Sequence, residues 1–314
     1  MPDSDIWERR TVLEVHVIGA GKNDDVEHPE RSVAFCEQAL AGARKTGDRH
    51  AEGACLLGLG YAYFFEGRIE DAIKHYDQAL NIFKEIGDRT SEANVLDRLG
   101  SILGAVGQSE AAILYHGQSL TILRETGDRL GEGKCLREIG EAYFKLKQYT
   151  KALELHEKAL TIFREVTERE QEATTLNNIA SDYFYLQQIK RGNQCHEQAL
   201  SIFQEIKDDK NTFRVLMNMA YFCIGQRHFD QAIERYNQAL TITRAIGDQI
   251  SEAMILESLA FIYFELDQGE KSVELTEAAI QIYEVSGRPY LDKARKKLAY
   301  FRNQTSKKWW QFWI

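Results

Sequence analysis

The feature that most constrains the fold of this 314-residue sequence is a repeat with a constant period of 40 residues. An Ala-Leu pair, or a close relative of it, marks each copy, and no insertion or deletion shifts the register. The pair begins at Ala39, Ala79, Ser119, Ala159, Ala199, Ala239 and Ala279. Units this short cannot bury an apolar core alone, so the copies must stack on one another.

Each copy contains two amphipathic segments. Residues 51–66 and 68–86 carry apolar side chains spaced three and four residues apart, which predicts two helices. A Gly-Asp pair follows, and we expect Gly87 to end one helix in the left-handed conformation and Asp88 to cap the next. Glu92 then lies in the first turn, where the helix dipole favours a negative charge. Each copy is therefore predicted to be a helical hairpin.

Composition excludes several classes of protein. Only 3 residues are Pro, 44% are hydrophobic and 28% are charged, which excludes collagen-like and disordered chains. No apolar run reaches the roughly 18 residues of a membrane span, and the N-terminus is acidic and polar, so we expect a cytoplasmic protein. The net charge of −9 argues against a nucleic-acid partner. Five Cys without a CxxC pair indicate a reducing compartment and no zinc knuckle.

The repeat resembles the tetratricopeptide repeat (TPR). Leu56-x-x-Leu59-Gly60-x-x-Tyr63 followed by Ala72-x-x-x-Tyr76 is similar to that family's W-x-x-L-G-x-x-Y and A-x-x-x-F signatures. The similarity covers about residues 27–287. The period is 40 instead of 34 and Gly-Asp replaces the terminal Pro, a form similar to the repeats of kinesin light chain and of the Pins/LGN scaffolds. Residues 174–180 are especially similar to kinesin light chain.

The resemblance implies an all-α, right-handed α-solenoid of about seven hairpins with a C-terminal capping helix. We expect residues 1–303 to form the solenoid, with an irregular hairpin at 1–46, six regular repeats at 47–287 and the cap at 288–303. A helix should begin at about Pro29, and residues 304–314 form a Lys- and aromatic-rich tail. We also expect a hinge at 166–194, because the Gly-Asp linker is lost there and Gly192-Asn193 replace an apolar pair.

No residue pattern indicates catalysis. His116, His156 and His196 occur once per repeat, and helices about 8 to 10 Å apart cannot bring such a column onto one ion. We interpret these histidines, and Cys36, Cys55, Cys135 and Cys223, as packing residues. We find no phosphate loop or nucleophile motif, so we expect no enzyme, cofactor or metal site. The recurring carboxylates Glu52, Glu92, Glu132, Glu172 and Glu252 are interpreted as capping charges.

In the resembled family, the first helix of each hairpin lines a concave peptide groove. Carried over by repeat position, that groove contains Asn carboxamides that can bind a peptide backbone, and basic residues that can pair with an acidic ligand. These residues are Arg98, Lys134, Arg137, Asn177, Asn178, Arg214 and Asn218. The alternative is a solvated face whose charges pair with Asp97, Glu138 and Glu141.

Large and small residues in the same helices predict an apolar pocket for an aromatic or Leu side chain of a ligand. It comprises Tyr61, Phe64, Phe65, Ser101, Gly104 and Phe144. For Phe64 and Phe144, core packing is the competing interpretation.

The C-terminal tail is unusually apolar for a solvated segment. It contains Lys307, Lys308, Trp309, Trp310, Phe312 and Trp313. This segment could contact a membrane surface weakly, bind the groove, be bound by a partner or pack on the capping helix.

The sequence therefore favours a non-catalytic scaffold or adaptor that binds a protein or peptide ligand with acidic residues. Two alternatives stay open at this point. One is a peripheral membrane adaptor tethered by the tail, and the other is a regulatory subunit of an enzyme on another chain.

Overall fold

A computed structural model of the protein describes residues 29–286 and 290–311, with side chains for residues 33–285 and 290–304. The described chain is all α-helical, as predicted. Its helices are α1 Pro29–Thr46, α2 Arg49–Phe65, α3 Ile69–Ile86, α4 Arg89–Ala105, α5 Ser109–Thr126, α6 Arg129–Lys145, α7 Tyr149–Glu165, α8 Arg169–Tyr185, α9 Ile189–Glu205, α10 Asp209–Gly225, α11 Phe229–Ile246, α12 Gln249–Glu265, α13 Gly269–Ser286 and α14 Leu291–Gln311.

Consecutive helices pair as the predicted hairpins: α2 with α3, α4 with α5, α6 with α7, α10 with α11 and α12 with α13. Helix α9 contacts α8, where the rings of His196 and Phe184 lie 5.4 Å apart. Helix α1 begins at Pro29, which has the fixed φ that suits a first helical position. The expected irregular helix before it lies outside the described residues. Helix α14 begins near the expected position and continues to Gln311, past the expected end at residue 303.

The chain divides into two compact units, residues 1–199 and residues 200–314. The dividing point lies within α9, and each unit is described separately below. Among the described helices, none is both long enough and apolar enough to cross a bilayer.

The predicted helix boundaries are confirmed. Gly87 ends α3 with φ +74°, and the Asp88 carboxylate accepts a hydrogen bond from the Ser91 backbone N–H at 3.0 Å. At the degenerate junction before α8, Thr167 takes the left-handed position with φ +60°. Glu168 makes no side-chain capping bond there. The strained backbone and the missing cap are thus found at the same junction.

The recurring glutamates do more than cap helices. Glu132 accepts hydrogen bonds from Arg124, at the end of α5, and from Arg129, at the start of α6, at 2.8 and 2.6 Å. Arg129 also contacts Glu165 at the end of α7 at 2.5 Å. Burial alone would raise the pKa of Glu132, but its two arginine partners outweigh burial and lower the pKa. The same Arg-Glu-Arg arrangement recurs at Glu52, and together these groups tie three successive helices at one end.

The core of the first unit lies between the two helices of each hairpin. Leu56, Leu59, Tyr76 and Phe83 are almost completely buried there. The alanine of the Ala-Leu pair in each repeat allows neighbouring helices to approach closely, and Ala79 is fully buried. A Cβ at Gly192 would lie 3.1 Å from the Ala180 carbonyl oxygen, so Gly lets α9 approach α8 closely. Gly192 therefore contributes to close packing.

In the second unit, α14 covers the end of the helix array. Phe301 is buried and stacks on Phe264 with ring centroids 4.6 Å apart. Lys297 Nζ lies 3.1 Å from Glu257 Oε1 on α12. Apolar packing and an ion pair thus fix the predicted capping helix to the preceding hairpin.

Candidate functional site

In the first unit, the first helices of successive hairpins form one continuous face. Helix α6 contacts α4 and α8, in addition to its sequence neighbours α5 and α7. The groove residues predicted on α4, α6 and α8 therefore lie on adjacent helices. This face is the candidate peptide-binding surface of the first unit, and it is called the inner face below.

The predicted groove residues differ in accessibility. Arg98 on α4 and Lys134 on α6 are exposed, whereas Arg137 and Asn178 are half-buried. The side chain of Asn177 is only 4% exposed, so it is a packing residue in this structure and not an open contact for a peptide backbone. Sequence position could not distinguish Asn177 from Asn178, because burial depends on the neighbouring hairpins.

Part of the charge on the inner face is neutralised within the protein. Arg137 donates hydrogen bonds to Gln171 at 2.8 Å and to Glu138 at 2.7 Å. Lys145 forms an ion pair with Glu141 at 3.2 Å. The solvated-face interpretation therefore describes these residues well.

Arg98 and Lys134 behave differently. Within the part of the chain that the structure describes, neither side chain makes a hydrogen bond or an ion pair. Both charges are exposed to an acidic ligand, and that of Arg98 also lies near enough to Asp97 to help lower the pKa of that carboxyl. Arg214 and Asn218 belong to the second unit, where both are half-buried on α10.

The predicted apolar pocket separates into two aromatic groups. Tyr61 is 46% exposed and its ring centroid lies 4.6 Å from that of Phe65, which is also exposed. Phe64, half-buried, contacts Phe65 at 5.5 Å. Between the two groups, Lys145 Nζ donates to the Gly104 carbonyl oxygen at 3.3 Å, and Ser101 is half-buried. Gly104, one of the small residues of the predicted pocket, is therefore in contact with a charged side chain.

Phe144 belongs to the second aromatic group. Its ring lies 5.3 Å from Tyr149 and 5.1 Å from Tyr185, and the two tyrosines stack at 4.7 Å. Sequence reasoning missed Tyr149 and Tyr185. Both lie at hairpin turns, and only the tertiary fold brings the ends of α6, α7 and α8 together.

For the aromatic tail, the structure describes the backbone as far as Gln311 and no side chains beyond residue 304. Lys307, Lys308, Trp309 and Trp310 continue α14, and their side chains lie outside the described set. Phe312 and Trp313 lie outside the described residues altogether. The interpretations of the tail stay predictions.

A buried polar cluster joins α4, α5 and α6. His116 Nδ1 lies 2.9 Å from Asp97 Oδ1, and Cys135 Sγ lies 3.6 Å from the same oxygen. Cys135 Sγ is also 3.5 Å from Ser119 Oγ, which donates to the Ala93 carbonyl oxygen at 2.8 Å. Burial raises the pKa of the Cys135 thiol.

Glycine makes room for the histidine of this cluster. A Cβ at Gly100 would lie 2.7 Å from the His116 ring, and one at Gly140 would lie 2.6 Å from the His156 ring. The Gly of the Leu-Gly signature therefore lets a ring lie against the helix backbone. The spacing argument considered only histidines, and it missed that Asp97 and Cys135, from other repeat positions, meet His116.

The next histidine has a partner from the following hairpin. His156 Nδ1 on α7 lies 2.5 Å from Asp182 Oδ2 on α8, and both side chains are buried. Burial raises the pKa of Asp182, with the hydrogen bond from His156 only partly offsetting that rise. The pair therefore fixes α8 against α7 at high electrostatic cost.

In the second unit, α11, α12 and α13 border an open cleft of about 530 Å³. Its lining includes Arg244, which donates to Glu252 at 2.8 Å, together with Leu256 and Val285. The one basic residue of this lining is thus paired with one of its two glutamates, the other being Glu274.

Comparison with known proteins identifies the family. The Tetratricopeptide repeat family model matches residues 28–85, 54–125, 91–165, 133–191 and 171–245. The chain belongs to the tetratricopeptide repeat family. A comparison with curated proteins gives no match.

Solved structures agree on the fold. BtubC (BKLC) from P. vanneervenii is 20% identical, with a TM-score of 0.62 over 70% of this chain and 92% of that one. A Rap protein complexed with Competence and Sporulation Factor is 15% identical, with a TM-score of 0.58 over 82% and 76%. The apo form of the quorum sensor NprR from B. thuringiensis is 16% identical, with a TM-score of 0.57 over 87% and 83%.

Proposed function

We propose that the protein is a non-catalytic interaction scaffold whose inner face binds an acidic peptide or an acidic segment of a partner protein. One observation carries the proposal. Arg98 and Lys134 are exposed on α4 and α6 without an ion-pair partner among the described residues, while the neighbouring Arg137 and Lys145 are paired. A face that neutralises its other charges but keeps these two open favours a negatively charged ligand.

The exposed aromatic pair adds an apolar contact to the same surface. Tyr61 and Phe65 lie on α2, one hairpin before Arg98. Exposed aromatic rings one hairpin before an exposed cation fit a ligand that carries an apolar anchor together with acidic residues. The Rap structure complexed with Competence and Sporulation Factor supports a peptide-binding or protein-binding role for this fold.

The test is a screen of the full-length protein against a peptide array in which acidic residues flank one aromatic or Leu residue. Binders are then measured against the double variant Arg98→Glu, Lys134→Glu. We expect affinity to fall by about tenfold or more, because two attractive charges become repulsive.

Lys74→Glu, Lys158→Glu is the matched control. Both lysines are exposed on second helices, α3 and α7, and the double change alters net charge equally. Equal loss in both double variants would mean that net charge, and not this face, governs binding. A chain ending at Gln304 separates the tail from the inner face, because binding lost only on that truncation would assign the ligand to the tail.

A further inference from the structure

We propose that Asp97, His116 and Cys135 form a binding site for a divalent transition-metal ion of the zinc class. The three side chains come from three consecutive helices, α4, α5 and α6. Each supplies one ligand atom, and the three atoms lie within 4.8 Å of one another.

The distances suit a metal of this class. Bonds of about 2.0 to 2.3 Å in a tetrahedral arrangement separate neighbouring ligand atoms by roughly 3.3 to 3.8 Å. The observed separations are 2.9 Å between His116 Nδ1 and Asp97 Oδ1 and 3.6 Å from that oxygen to Cys135 Sγ. Changes of a few tenths of an ångström, plus some movement of the thiol, would accommodate the ion.

The ligand types select the metal. A thiolate, an imidazole and a carboxylate favour Zn²⁺ and similar borderline ions over Mg²⁺ and Ca²⁺, which prefer oxygen ligands. Three protein ligands leave a fourth tetrahedral position for water or for a ligand side chain. Binding releases the thiol proton. His116 binds through Nδ1 as a neutral imidazole that keeps its N–H on Nε2, so the metal takes the place of the thiol proton and of the hydrogen between His116 and Asp97.

One residue of the cluster departs from the repeat. Ala occupies the position of Ser119 in all six other copies. Ser119 is fully buried, and its hydroxyl lies beside the thiol. This polar residue therefore lies next to the proposed ligands, and its hydroxyl could support a metal-bound sulfur by turning from the Ala93 carbonyl oxygen to donate to it.

Of the three proposed ligands, only the carboxylate is open to solvent. The Asp97 side chain is 29% exposed, whereas His116 and Cys135 are almost completely buried. An ion can therefore enter past the carboxylate on the inner face and be held by the two deeper groups.

The experiment uses the full-length, reduced and chelator-treated chain, with Co²⁺ as the spectroscopic probe. We expect one equivalent of Co²⁺ to give a thiolate-to-cobalt charge-transfer band that Zn²⁺ abolishes. Zn²⁺ should also raise the thermal unfolding midpoint. Cys135→Val should remove both effects, and Asp97→Leu should weaken Co²⁺ binding at least tenfold. Val95 and Leu57 are the corresponding residues of earlier copies, so both changes suit the fold.

Cys55→Val is the matched control, because Cys55 occupies the same repeat position as Cys135 two repeats earlier in the chain. It should leave the cobalt band unchanged. Absence of a band in the unaltered chain overturns the proposal, as does a band that survives Cys135→Val or disappears with Cys55→Val.

Discussion

Two Asp-His pairs in residues 1–199 consist of the same two residue types in different surroundings. Asp97 and His116 belong to one hairpin, α4 with α5, and the carboxylate is 29% exposed. His156 and Asp182 join successive hairpins, α7 to α8, and Asp182 is completely buried. His156 Nε2 and Asp182 Oδ1 have no hydrogen-bond partner among the described residues.

The charged and hydrogen-bonding groups around each carboxyl decide where the proton is most stable. For Asp97, burial alone would raise the pKa, but the hydrogen bond and charge of His116, the charge of Arg98 and the hydrogen bond from Cys135 outweigh it and the pKa is lowered. For Asp182, burial dominates over the same kind of hydrogen bond and the pKa is raised. A histidine partner by itself therefore does not fix the ionisation of a carboxyl group.

The second pair also lies at a structurally weak junction. Helices α7 and α8 are joined through Thr167 and Glu168, where the backbone is left-handed without Gly and the capping bond is missing. The pair His156 and Asp182 connects these two helices directly. The His156–Asp182 pair thus joins α7 to α8 where the Gly-Asp linker and its capping hydrogen bond are missing.

The largest expected effect comes from breaking the buried pair. Asp182→Ala should lower the free energy of unfolding by about 3 kcal/mol, because it leaves His156 buried without this partner. Asp97→Ala should cost about 1 kcal/mol, since water can reach the Asp97 site. Urea denaturation of both variants measures the difference, and equal costs would contradict the comparison.

A double variant distinguishes lost pairing from lost packing. Tyr76 and Ile102 occupy the repeat positions of His156 and Asp182 in an earlier copy. His156→Tyr, Asp182→Ile should therefore recover most of the stability lost in Asp182→Ala. Failure to recover it would mean that this layer depends on more than the two side chains.

A smaller gain is expected from repairing the junction. Thr167→Gly, Glu168→Asp removes the strain at φ +60° and provides a carboxylate for the Gln171 backbone N–H, so it should stabilise the protein by about 2 kcal/mol. Amide hydrogen exchange across 166–194 should slow, which also tests the predicted hinge. Thr167→Ala, Glu168→Gln is the control and should give no comparable gain. Uniform protection across all hairpins of the unaltered chain would rule the hinge out.

The smallest effect is the opposite pH dependence of the two aspartates. The lowered pKa of Asp97 adds stability above its unfolded pKa of about 3.9, and that stability is lost as the pH falls through the folded value. The raised pKa of Asp182 opposes folding above its folded value, and this cost is relieved as the pH falls.

The cost of Asp97→Ala should therefore shrink towards acid pH and the cost of Asp182→Ala should grow. Denaturation of the wild type and both variants between about pH 3 and pH 6 checks the two slopes. Slopes of the same sign would show that the groups around the two carboxyls do not shift their pKa values in opposite directions.

Local signals in the sequence predicted the elements well. Gly87 and Asp88 end one helix and cap the next where expected. Such residues are predictable because they contact only backbone groups a few positions away in the sequence. The repeat also predicted which positions form the core, since stacking places equivalent residues in equivalent surroundings.

The candidate site was predicted less completely. Arg98 and Lys134 are exposed as expected, whereas Asn177 is buried and Phe144 joins a different aromatic group. Repeat position gives the helix face of a residue, but its exposure depends on the side chains of the hairpins on either side. These vary from copy to copy.

By itself, the sequence determined the helical hairpins, their 40-residue period and their capping, because each depends on contacts within one unit or on its stacking with an identical neighbour. Only the tertiary structure decided which polar residues meet. Asp97 and Cys135 each lie 19 residues from His116 in the chain, and the three occupy different repeat positions that the 40-residue period does not superimpose. They converge because helix packing brings three consecutive helices within side-chain reach.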